Sequence, residues 1–441
     1  MTTGFQTETI VALSSGALPA GIAVVRISGP AAREAITALA GPLPPPRRAV
    51  LRRIRDAAGT EIDRGLVLFF EGPATVTGED LAELHLHGGR AVVSACLDAL
   101  TSLPGVRLAE AGEYTRRAFE NGRIDLTEAE GLADLLAAET EAQHRQALAQ
   151  AGGSLRALYE GWMRQLVEAR AMLEASLDFA DEGDVGEDAT DAVAPTLAGL
   201  AAAMEAHLAG AHRGEILRDG FRVAIIGAPN VGKSSLLNAL ADRDVAIVSD
   251  IPGTTRDVIE VSLDLAGIRV RFADTAGLRE TTDAIEAIGI GRAEAAAESA
   301  DLVLLLQPAD AGMIHVKPDE RRGATLVVRT KIDLAPGVRF GSGTLGVSTV
   351  TGEGMGALLD EIARSAREAA GDPAGVVPAR ARHREIVADA LRLLAEARMA
   401  PAAELQAEAL RQVTDRLGLL TGRVGVEDLL DVIFSAFCIG K

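Results

Sequence analysis

The sequence predicts a multidomain protein of mixed α+β and α/β class, in which an α/β domain is inserted into a helical domain. Three observations support this class. Residues 1–120 alternate short β-like runs with turns, residues 121–214 and 373–441 have helical apolar spacing, and residues 215–372 alternate strands with helices. A chain of 441 residues is also too long for one hydrophobic core.

The first 120 residues predict a compact α+β domain. The runs Ile22–Ile27, Gly65–Phe70 and Leu81–Leu86 have strand length, and the segment 90–102 has helical spacing. The proline-rich stretch Pro42–Pro46 predicts a loop.

Helical segments follow this domain. No proline occurs between Gly105 and Ala194, and apolar residues recur there at three- and four-residue steps, as expected for one face of a long helix. An acidic break follows at Asp181–Asp191, and the helical pattern returns over 383–441 with an interruption at Pro401. The predicted buried face consists of Leu155, Leu158, Trp162, Leu166, Ala169 and Leu173.

Between the helical segments, short apolar strands alternate with helices or loops. This order is typical of a βαβ domain with a buried, mostly parallel sheet. Its two ends are expected to lie close in space, because tolerated insertions leave and re-enter the host at one place. The predicted strands are Phe221–Ile226, Ile268–Ala273, Leu302–Leu306, Leu326–Arg329 and Leu345–Ser348.

Composition limits the compartment and the class of partner. A formal net charge of −19 lowers the expectation of tight, unaided RNA binding, although a local basic patch or a basic partner could supply the contact. Cys96 and Cys438 are the only cysteines, so no disulfide framework is expected. Met1–Ile10 has no signal-peptide pattern, and no apolar stretch reaches the roughly 20 residues of a membrane helix. We therefore expect a cytoplasmic protein without membrane contact.

A phosphate-binding loop is predicted where the first strand of the inserted domain meets a helix. The sequence Gly227-Ala-Pro-Asn-Val-Gly232-Lys233-Ser234 precedes the helix Ser235–Leu240. Glycines let backbone N–H groups surround the β-phosphate, and the helix N-terminus adds its positive dipole end. Lys233 is expected at the β- and γ-phosphates in a catalytic role, and the Ser234 hydroxyl at magnesium. Asn230, Val231, Gly232 and Ser235 complete the expected nucleotide contacts.

Two further segments predict a switch GTPase. Asp274-Thr275-Ala276-Gly277 ends a buried strand, where Asp274 can hold magnesium through water and the Gly277 N–H can meet the γ-phosphate. Thr255, in Gly253-Thr-Thr-Arg-Asp257, is placed so that its hydroxyl can complete the metal shell. Each signal is weak alone, but their order along the chain is specific.

Guanine selection is predicted at Thr330-Lys331-Ile332-Asp333. Asp333 can accept hydrogen bonds from the ring N–H and the exocyclic amine of guanine, neither of which adenine offers. Most GTPases carry Asn at the position of Thr330, so the hydrogen bond of that side chain is less certain. Ser348 and Thr349 are expected to contribute the loop that closes over the base.

Leu278 follows the switch motif where many small GTPases place a water-orienting Gln, so hydrolysis needs another device. Glu286 could orient the attacking water through a second water, although a solvated helix charge is the simpler interpretation of that residue alone. Asn230 offers an oxygen suited to a monovalent cation in place of an arginine finger.

With these residues in hand, the chain resembles the MnmE (TrmE) family of tRNA-modification GTPases over essentially its full length. The resemblance extends beyond the motifs that all GTPases share. It includes Ala23–Gly29, Thr77–Asp80 with Glu83–Gly89, Gly112–Phe119 with Asn121–Leu126, Asp283–Arg292, and the C-terminal Phe437-Cys-Ile-Gly-Lys441.

The resemblance implies a homodimer held by N-terminal domains that also bind a formyl- or methylene-tetrahydrofolate as one-carbon donor. Arg26, Glu83, Arg123 and Lys441 match the family's folate-contacting positions. Arg123 is more often Lys there, which keeps the charge but changes its geometry. For any one of these residues taken alone, a surface charge is the simpler interpretation.

The resemblance also implies an FAD-dependent partner, MnmG (GidA), forming a heterotetramer that builds an aminomethyl or carboxymethylaminomethyl group on C5 of the wobble uridine of tRNA. It implies G domains that pair across their nucleotides with potassium held by Asn230 and by Ser249, Ile251 and Thr254. Ser234 and Thr255 would serve magnesium, and Glu286 would be the hydrolytic residue. Asp250, Pro252 and Gly253 belong to the same nucleotide-binding loop, and Arg256 could stabilise it.

Several alternatives stay open at the level of the sequence. Cys438 is either a reactive thiol with a pKa lowered by Lys441 or a small buried residue, whereas Cys96 is expected in the core. A ribosome-assembly GTPase of the Era/Der kind shares the phosphate-loop Asn and the absent Gln, but such proteins carry basic RNA-binding domains. A folate-dependent transferase with a regulatory G domain is also compatible with these residues.

Overall fold

The computed structural model describes most of the chain and divides it into two compact units. The described residues are 8–178, 189–243, 247, 260–274, 297–310, 324–337, 340–341, 343–423, 430, 433–434, 437 and 440. The first unit comprises Met1–Ala133 with Gly418–Lys441, and the second comprises Asp134–Leu417. Mixed α+β and α/β architecture, as predicted, is confirmed.

The first unit is built on a six-stranded sheet with the strand order β3-β4-β5-β2-β1-β6. All neighbouring strands are antiparallel except β1 and β6. Helices α1 and α2 cover one face, and alternate residues such as Val25, Val67 and Leu84 point into that core. The elements are β1 Thr9–Leu13, β2 Ala20–Ser28, α1 Ala32–Ala40, β3 Val50–Arg55, β4 Glu61–Phe70, β5 Leu81–Gly88, α2 Arg90–Thr101 and β6 Val106–Leu108.

The other face of this sheet is covered at β1 and open at β3 and β4. Tyr114, on helix α3 (Glu113–Glu120), packs on Ile10 and Ala12 of β1. Leu51 of β3 and Leu66 of β4 lie opposite each other in register and are exposed. We call this side the open face of the sheet.

The end of the chain packs back on the first unit. Phe434 and Phe437 share a core with Leu126, at the start of helix α4 (Leu126–Ala137). The Ser14 hydroxyl, just after β1, donates to the Gly440 carbonyl at 2.8 Å. Gly440 is therefore held beside β1.

A buried ion network fixes α3 in the first unit. The guanidinium of Arg117, which is 2% exposed, lies 3.1 Å from a Glu79 oxygen and 3.0 Å from a Glu113 oxygen. Burial by itself raises the pKa of Glu113, but the hydrogen bond from Arg107 and the charge of Arg117 outweigh it, so the pKa lies below its ordinary value. Glu113 is therefore ionised at neutral pH and satisfies both arginines.

The helical part of the second unit surrounds helix α6. The predicted apolar face of α6 is buried at Leu155, Trp162, Leu166, Ala169 and Leu173, whereas Leu158 is only half-buried. Helix α7 packs against both α6 and α11. The helices are α5 Glu141–Ala151, α6 Ser154–Asp178, α7 Ala189–Ala209, α8 Ala211–Asp219, α11 Ala381–Arg398 and α12 Ala403–Thr421.

Among the described residues, the stretch Thr190–Asp219 is long and apolar enough to cross a membrane by length and composition alone, with a mean hydropathy of 1.2. The signal is weak, because Val193, Leu197, Leu200 and Met204 form a buried face of α7 within the helical layer.

The α/β part of the second unit is a six-stranded sheet with the order β12-β11-β10-β7-β9-β8. Only β8 runs antiparallel to its neighbour, so the predicted mostly parallel sheet is confirmed. The central strands β7 and β10 are nearly continuous apolar runs because they are buried on both faces, whereas β8 and β9 alternate apolar with polar residues. The elements are β7 Phe221–Gly227, α9 Lys233–Ala241, β8 Glu260–Leu265, β9 Ile268–Asp274, β10 Leu302–Pro308, β11 Ala324–Thr330, β12 Thr344–Val347 and α10 Met355–Ala370.

The chain enters and leaves this α/β layer at neighbouring places. A Cβ on Gly214, in α8, would lie 2.5 Å from the Pro378 carbonyl oxygen, so the entering and leaving segments touch through a glycine. Gly371, directly after α10, lies against the side chain of Arg213. The expected closeness of the two ends is confirmed.

A buried histidine makes the stability of the helical layer depend on pH. His207 of α7 lies 3.0 Å from the Tyr159 hydroxyl and packs edge-on against Trp162. The pKa of His207 is lowered to about 4, chiefly by burial and also by the nearby His383, while the Val376 carbonyl acts in the opposite direction. The unfolded chain therefore takes up a proton at higher pH than the folded chain does.

We predict that the helical layer loses about 2 kcal/mol of unfolding free energy between pH 7 and pH 5 because of His207. This contribution is fully present above the unfolded pKa near 6.5 and is lost as the pH falls toward 4. Fluorescence of Trp162, the only tryptophan, during urea unfolding reports it locally. His207→Phe should flatten the pH dependence, and an equally steep dependence in that variant would contradict the assignment.

Candidate functional site

The predicted phosphate loop lies at the carboxyl edge of the parallel sheet, between β7 and α9. Three residues of the loop have positive φ, Gly227 at 156°, Asn230 at 60° and Gly232 at 108°. A Cβ on Gly227 would lie 2.7 Å from the Leu306 carbonyl oxygen, so only glycine lets the loop approach β10 this closely. The backbone thus turns sharply into α9, whose first N–H groups have no partner within the helix.

Lys233 is the first residue of α9. Its ammonium donates to the carbonyls of Gly227 at 2.8 Å and Ala228 at 3.1 Å, so it lies across the mouth of its own loop. An ammonium at this position of the loop fits a phosphate group.

The predicted guanine loop is bonded directly to the phosphate loop. The buried Thr330 hydroxyl, at the end of β11, donates to the Val231 carbonyl at 2.7 Å. The Lys331 ammonium donates to the Asn230 carbonyl at 2.8 Å. The threonine that stands in place of the usual asparagine therefore makes the contact between the loops.

Lys331 has a positive φ of 59°, which turns the chain into the short 3-10 helix Ile332–Leu334. Asp333 lies in this turn and is half-buried. Its carboxylate is thus presented next to two loops that are already joined.

The third loop of this edge follows β12. The buried Ser348 hydroxyl accepts from the backbone N–H groups of Val350 at 3.3 Å and Thr351 at 3.2 Å, which closes the turn that contains Thr349. Thr330 and Val347 are opposite each other in register, so this turn emerges beside the guanine loop. The predicted base-binding residues are brought to one place.

Asp274 is the last residue of β9 and lies opposite Ile225 in register, at the same edge as the phosphate loop. The remaining predicted switch, potassium and hydrolysis residues lie outside the described residues. They are Ser249, Asp250, Ile251, Pro252, Gly253, Thr254, Thr255, Thr275, Ala276, Gly277 and Glu286.

Among the described residues, no group of three His, Cys, Asp or Glu side chains is arranged to hold a metal ion. A magnesium ion bound to a nucleotide does not need such a group, because phosphate oxygens, water and hydroxyl groups fill its shell. Ser234, in the first turn of α9, lies next to the residue that covers the phosphate loop. The described part of the site therefore fits nucleotide-bound magnesium.

A second candidate site lies on the sheet of the first unit. Arg26 of β2 and Glu83 of β5 are opposite each other in register, and their side chains pair at 2.9 Å while staying partly exposed. His85 lies 3.2 Å from the other Glu83 oxygen. The Tyr114 hydroxyl donates to the Arg26 carbonyl at 2.7 Å, and its ring lies under the guanidinium.

The other predicted folate residues are only partly described. Arg123 donates from Nε to the Thr75 carbonyl at 3.1 Å, in the loop before β5. Lys441 and Cys438 lie outside the described residues, although Gly440 is held beside β1. Tyr114 and His85 were not predicted as site residues. Both lie within motifs that the chain shares with the family, Gly112–Phe119 and Glu83–Gly89.

Cys96 is confirmed as a core residue. It is fully buried in α2 among the apolar side chains of the first unit. Burial raises the pKa of its thiol to about 12, and Asp63 adds to the effect. The thiol is therefore inert at neutral pH.

A polar pocket of about 300 Å³ lies at the opposite edge of the α/β sheet. There, the Ala142 N–H of α5 donates to the Gly267 carbonyl at 2.9 Å, and Arg269 pairs with Glu139 at 2.9 Å. Strand β9 thus runs from a contact with the helical layer to Asp274 at the nucleotide edge. The pocket is lined by Asp134, Ala137, Gln143, Gln146, Arg218, Asp219, Arg269 and Arg271.

Comparison with known proteins finds a full-length match. Residues 9–123 match the family described as the GTP-binding protein TrmE N-terminus, and residues 126–438 match the MnmE helical domain. A protein from Mesorhizobium japonicum named tRNA modification GTPase MnmE is 53% identical over 98% of this chain and 99% of its own length. The protein of the same name from Methylorubrum populi is 55% identical over 98% of each chain.

Among solved structures, a variant of Era from Aquifex aeolicus bound to GDP and AlF4− is 26% identical over 33% of this chain and 56% of that chain. The TM-score of this match is 0.26.

We predict that Thr330→Val loosens the phosphate loop, because the buried Val231 carbonyl loses its donor at a cost of about 1–2 kcal/mol. Hydrogen exchange of the backbone amides in residues 228–235 should become faster, and the α/β layer should unfold at a lower denaturant concentration. Thr330→Ser keeps the hydroxyl and should behave like the parent chain. Equal exchange in the valine and serine variants would show that the hydroxyl has no such role.

Proposed function

Because the chain belongs to the MnmE family of tRNA modification GTPases, we propose that its GTP hydrolysis drives the modification of C5 of the wobble uridine in tRNA. The product is an aminomethyl or carboxymethylaminomethyl group, made in the cytoplasm with an FAD-dependent protein of the MnmG (GidA) kind in a heterotetramer. The main structural support for nucleotide binding is the pair of hydrogen bonds from Thr330 and Lys331 to the phosphate loop.

We assign four segments of the chain to the domains that carry out this proposed function. Residues 1–120 form the folate-binding and dimerisation domain, residues 121–214 and 373–441 form the helical domain, and residues 215–372 form the GTPase domain. These bounds rest on the changes of sequence pattern and on the meeting of the entering and leaving segments at Gly214.

The GTPase domain holds the phosphates with the backbone of residues 227–234 and with Lys233. Ser234 and Thr255 bind magnesium, with Asp274 acting through water. Asp333 reads guanine, and the Ser348–Thr349 turn closes over the base. Because both loops are joined, the nucleotide is held at its base and at its phosphates by one rigid edge of the sheet.

We propose that Glu286 orients the attacking water. Many small GTPases use a Gln for this purpose, at the position where this chain has Leu278. Potassium, held by Asn230 with Ser249, Ile251 and Thr254, supplies the positive charge that an arginine finger supplies elsewhere. Asn230 supports this assignment, because its positive φ turns the backbone at the mouth of the loop.

The folate derivative is proposed to lie on the sheet of the first unit. Arg26 and Glu83 offer a guanidinium and a carboxylate side by side, which suits a ligand with carboxylates and a pterin ring. Arg123 and Lys441 supply two further cations. Cys438 is proposed as a thiol near this site, since the adjoining Gly440 is held beside β1, the neighbour of the strand that carries Arg26.

A homodimer is proposed through the first unit. The open face of its sheet exposes Ile22, Leu51 and Leu66, an apolar surface that a second copy can cover.

Single-turnover GTP hydrolysis tests the catalytic assignment. We expect Glu286→Ala to bind GTP within about twofold of the parent chain but to lose most of its hydrolysis, about 100-fold or more. Replacing potassium with sodium should slow the parent chain and reduce pairing of G domains with a transition-state mimic. An unchanged hydrolysis rate in the variant would contradict the role of Glu286. Equal pairing of G domains in both salts would contradict the role of potassium.

The cellular function is tested by mass spectrometry of wobble uridines in a strain that lacks this gene. Modified uridine should disappear and should return with the parent chain but not with Glu286→Ala. Normal wobble uridine together with a ribosome-assembly defect would favour an Era/Der-like role instead. Rescue by Glu286→Ala would favour a folate-dependent transferase that uses its G domain only for regulation.

A further inference from the structure

The hairpin formed by β3 and β4 carries a basic surface that the proposed nucleotide and folate sites do not use. Residues 47–64 contain six arginines and three carboxylates, in a chain with a formal net charge of −19. Three of these arginines, Arg53, Arg55 and Arg64, are exposed on the open face of the sheet. We call these three residues the arginine cluster.

Backbone pairing places the arginine cluster on one side of the hairpin. Burial alternates along β3, with Ile54 in the core and Arg53 and Arg55 exposed. Arg53 lies directly opposite Arg64 of β4, and Arg55 lies opposite Glu61 across a bulge. The side chains of Arg53 and Arg64 are 55% and 58% exposed. Their charges are available to a ligand in solvent.

One carboxylate, that of Glu61, is shared by Arg53 and Arg64. Glu61 accepts from Arg64 at 2.7 Å and lies 3.8 Å from Arg53. The hydrogen bond from Arg64 holds the pKa of Glu61 below its ordinary value, and the charges of Arg53 and Arg55 add to this. Arg55 forms no ion pair with a carboxylate in the described part of the chain, so the cluster keeps a net positive charge.

Protection of the sheet edge does not explain this arrangement. Charged side chains on an edge strand such as β3 do discourage pairing with other chains. However, Arg64 lies on the inner strand β4, and two arginines directly opposite each other repel. Charges of alternating sign would protect the edge without that cost.

We propose that the arginine cluster binds the phosphate backbone of tRNA. Guanidinium groups match phosphate oxygens in bidentate geometry. Residues on the same face of a strand are about 6.8 Å apart, a spacing that suits successive phosphates of one RNA strand. The rest of this acidic chain repels RNA, so a local cluster has to provide the attraction.

Such contacts position an RNA without reading its sequence. The inference rests on the proposed tRNA substrate and adds the surface on which that substrate is held. The homodimer proposed above covers Leu51 and Leu66, and the arginine cluster begins two residues further along each strand, at the border of that apolar surface. A two-fold interface presents the same surface from both copies, so an uncompensated basic cluster is unfavourable inside the interface and stays open to tRNA at its border. The competing possibility, that the cluster itself forms part of the dimer contact, is an outcome of the test.

The test compares two triple variants of the full-length chain. The first is Arg53→Gln, Arg55→Gln and Arg64→Gln. The matched control is Arg364→Gln, Arg392→Gln and Arg411→Gln, which removes the same charge from helical arginines that are 53%, 62% and 48% exposed. The measurements are binding of an unmodified tRNA transcript over a salt series, GTP hydrolysis and molecular mass.

We expect the first variant to bind tRNA about tenfold more weakly at low salt and to reduce the slope of log affinity against log salt by about 2, with GTP hydrolysis and mass unchanged. The control should retain the parent affinity and slope. Three results would overturn the inference: no tRNA binding by the parent chain at any salt, an equal loss in the control, or a halved mass of the first variant. GTP hydrolysis in the same samples reports on the proposed function separately.

Discussion

The nucleotide edge of the α/β layer depends on two hydrogen bonds between loops that are about 100 residues apart in sequence. The Thr330 hydroxyl donates to the Val231 carbonyl, and the Lys331 ammonium donates to the Asn230 carbonyl. A nucleotide has its base and its phosphates at a fixed separation, so the loops that bind them must keep a fixed separation too. The two bonds provide this constraint before any ligand arrives, which reduces the entropy lost on binding.

Much of the α/β layer could be predicted because parallel strands are buried on both faces and read as continuous apolar runs. The phosphate loop could also be predicted from the sequence, because its backbone geometry requires glycine at defined positions. The strands that escaped prediction are β1, β3, β6 and β8. In the edge strand β3, three of the six residues are arginines and only Ile54 is fully buried, so the strand lacks a clear apolar pattern. The length of β6, three residues, is below what periodicity can detect.

Tertiary partners could not be predicted from local pattern. The sequence identifies Thr330 as a departure from the usual asparagine, but it does not identify the acceptor of its hydroxyl. That acceptor, the Val231 carbonyl, lies within reach because β7 and β11 belong to the same sheet. Arg117 is nearly fully buried because Glu79 and Glu113, from two different segments, surround it. The Ser14–Gly440 bond joins residues from opposite ends of the sequence and holds Gly440 beside the N-terminal sheet.

The central claim is that the joined loops present Asp333 to a guanine base. The most direct measurement is calorimetric binding of GDP, ADP and xanthosine diphosphate to the parent chain and to Asp333→Asn. The parent chain should prefer GDP over both competitors by about 100-fold or more. The asparagine amide donates to the 2-oxo group of xanthine, so the variant should prefer xanthosine diphosphate. An undiminished preference for GDP in Asp333→Asn would contradict the claim.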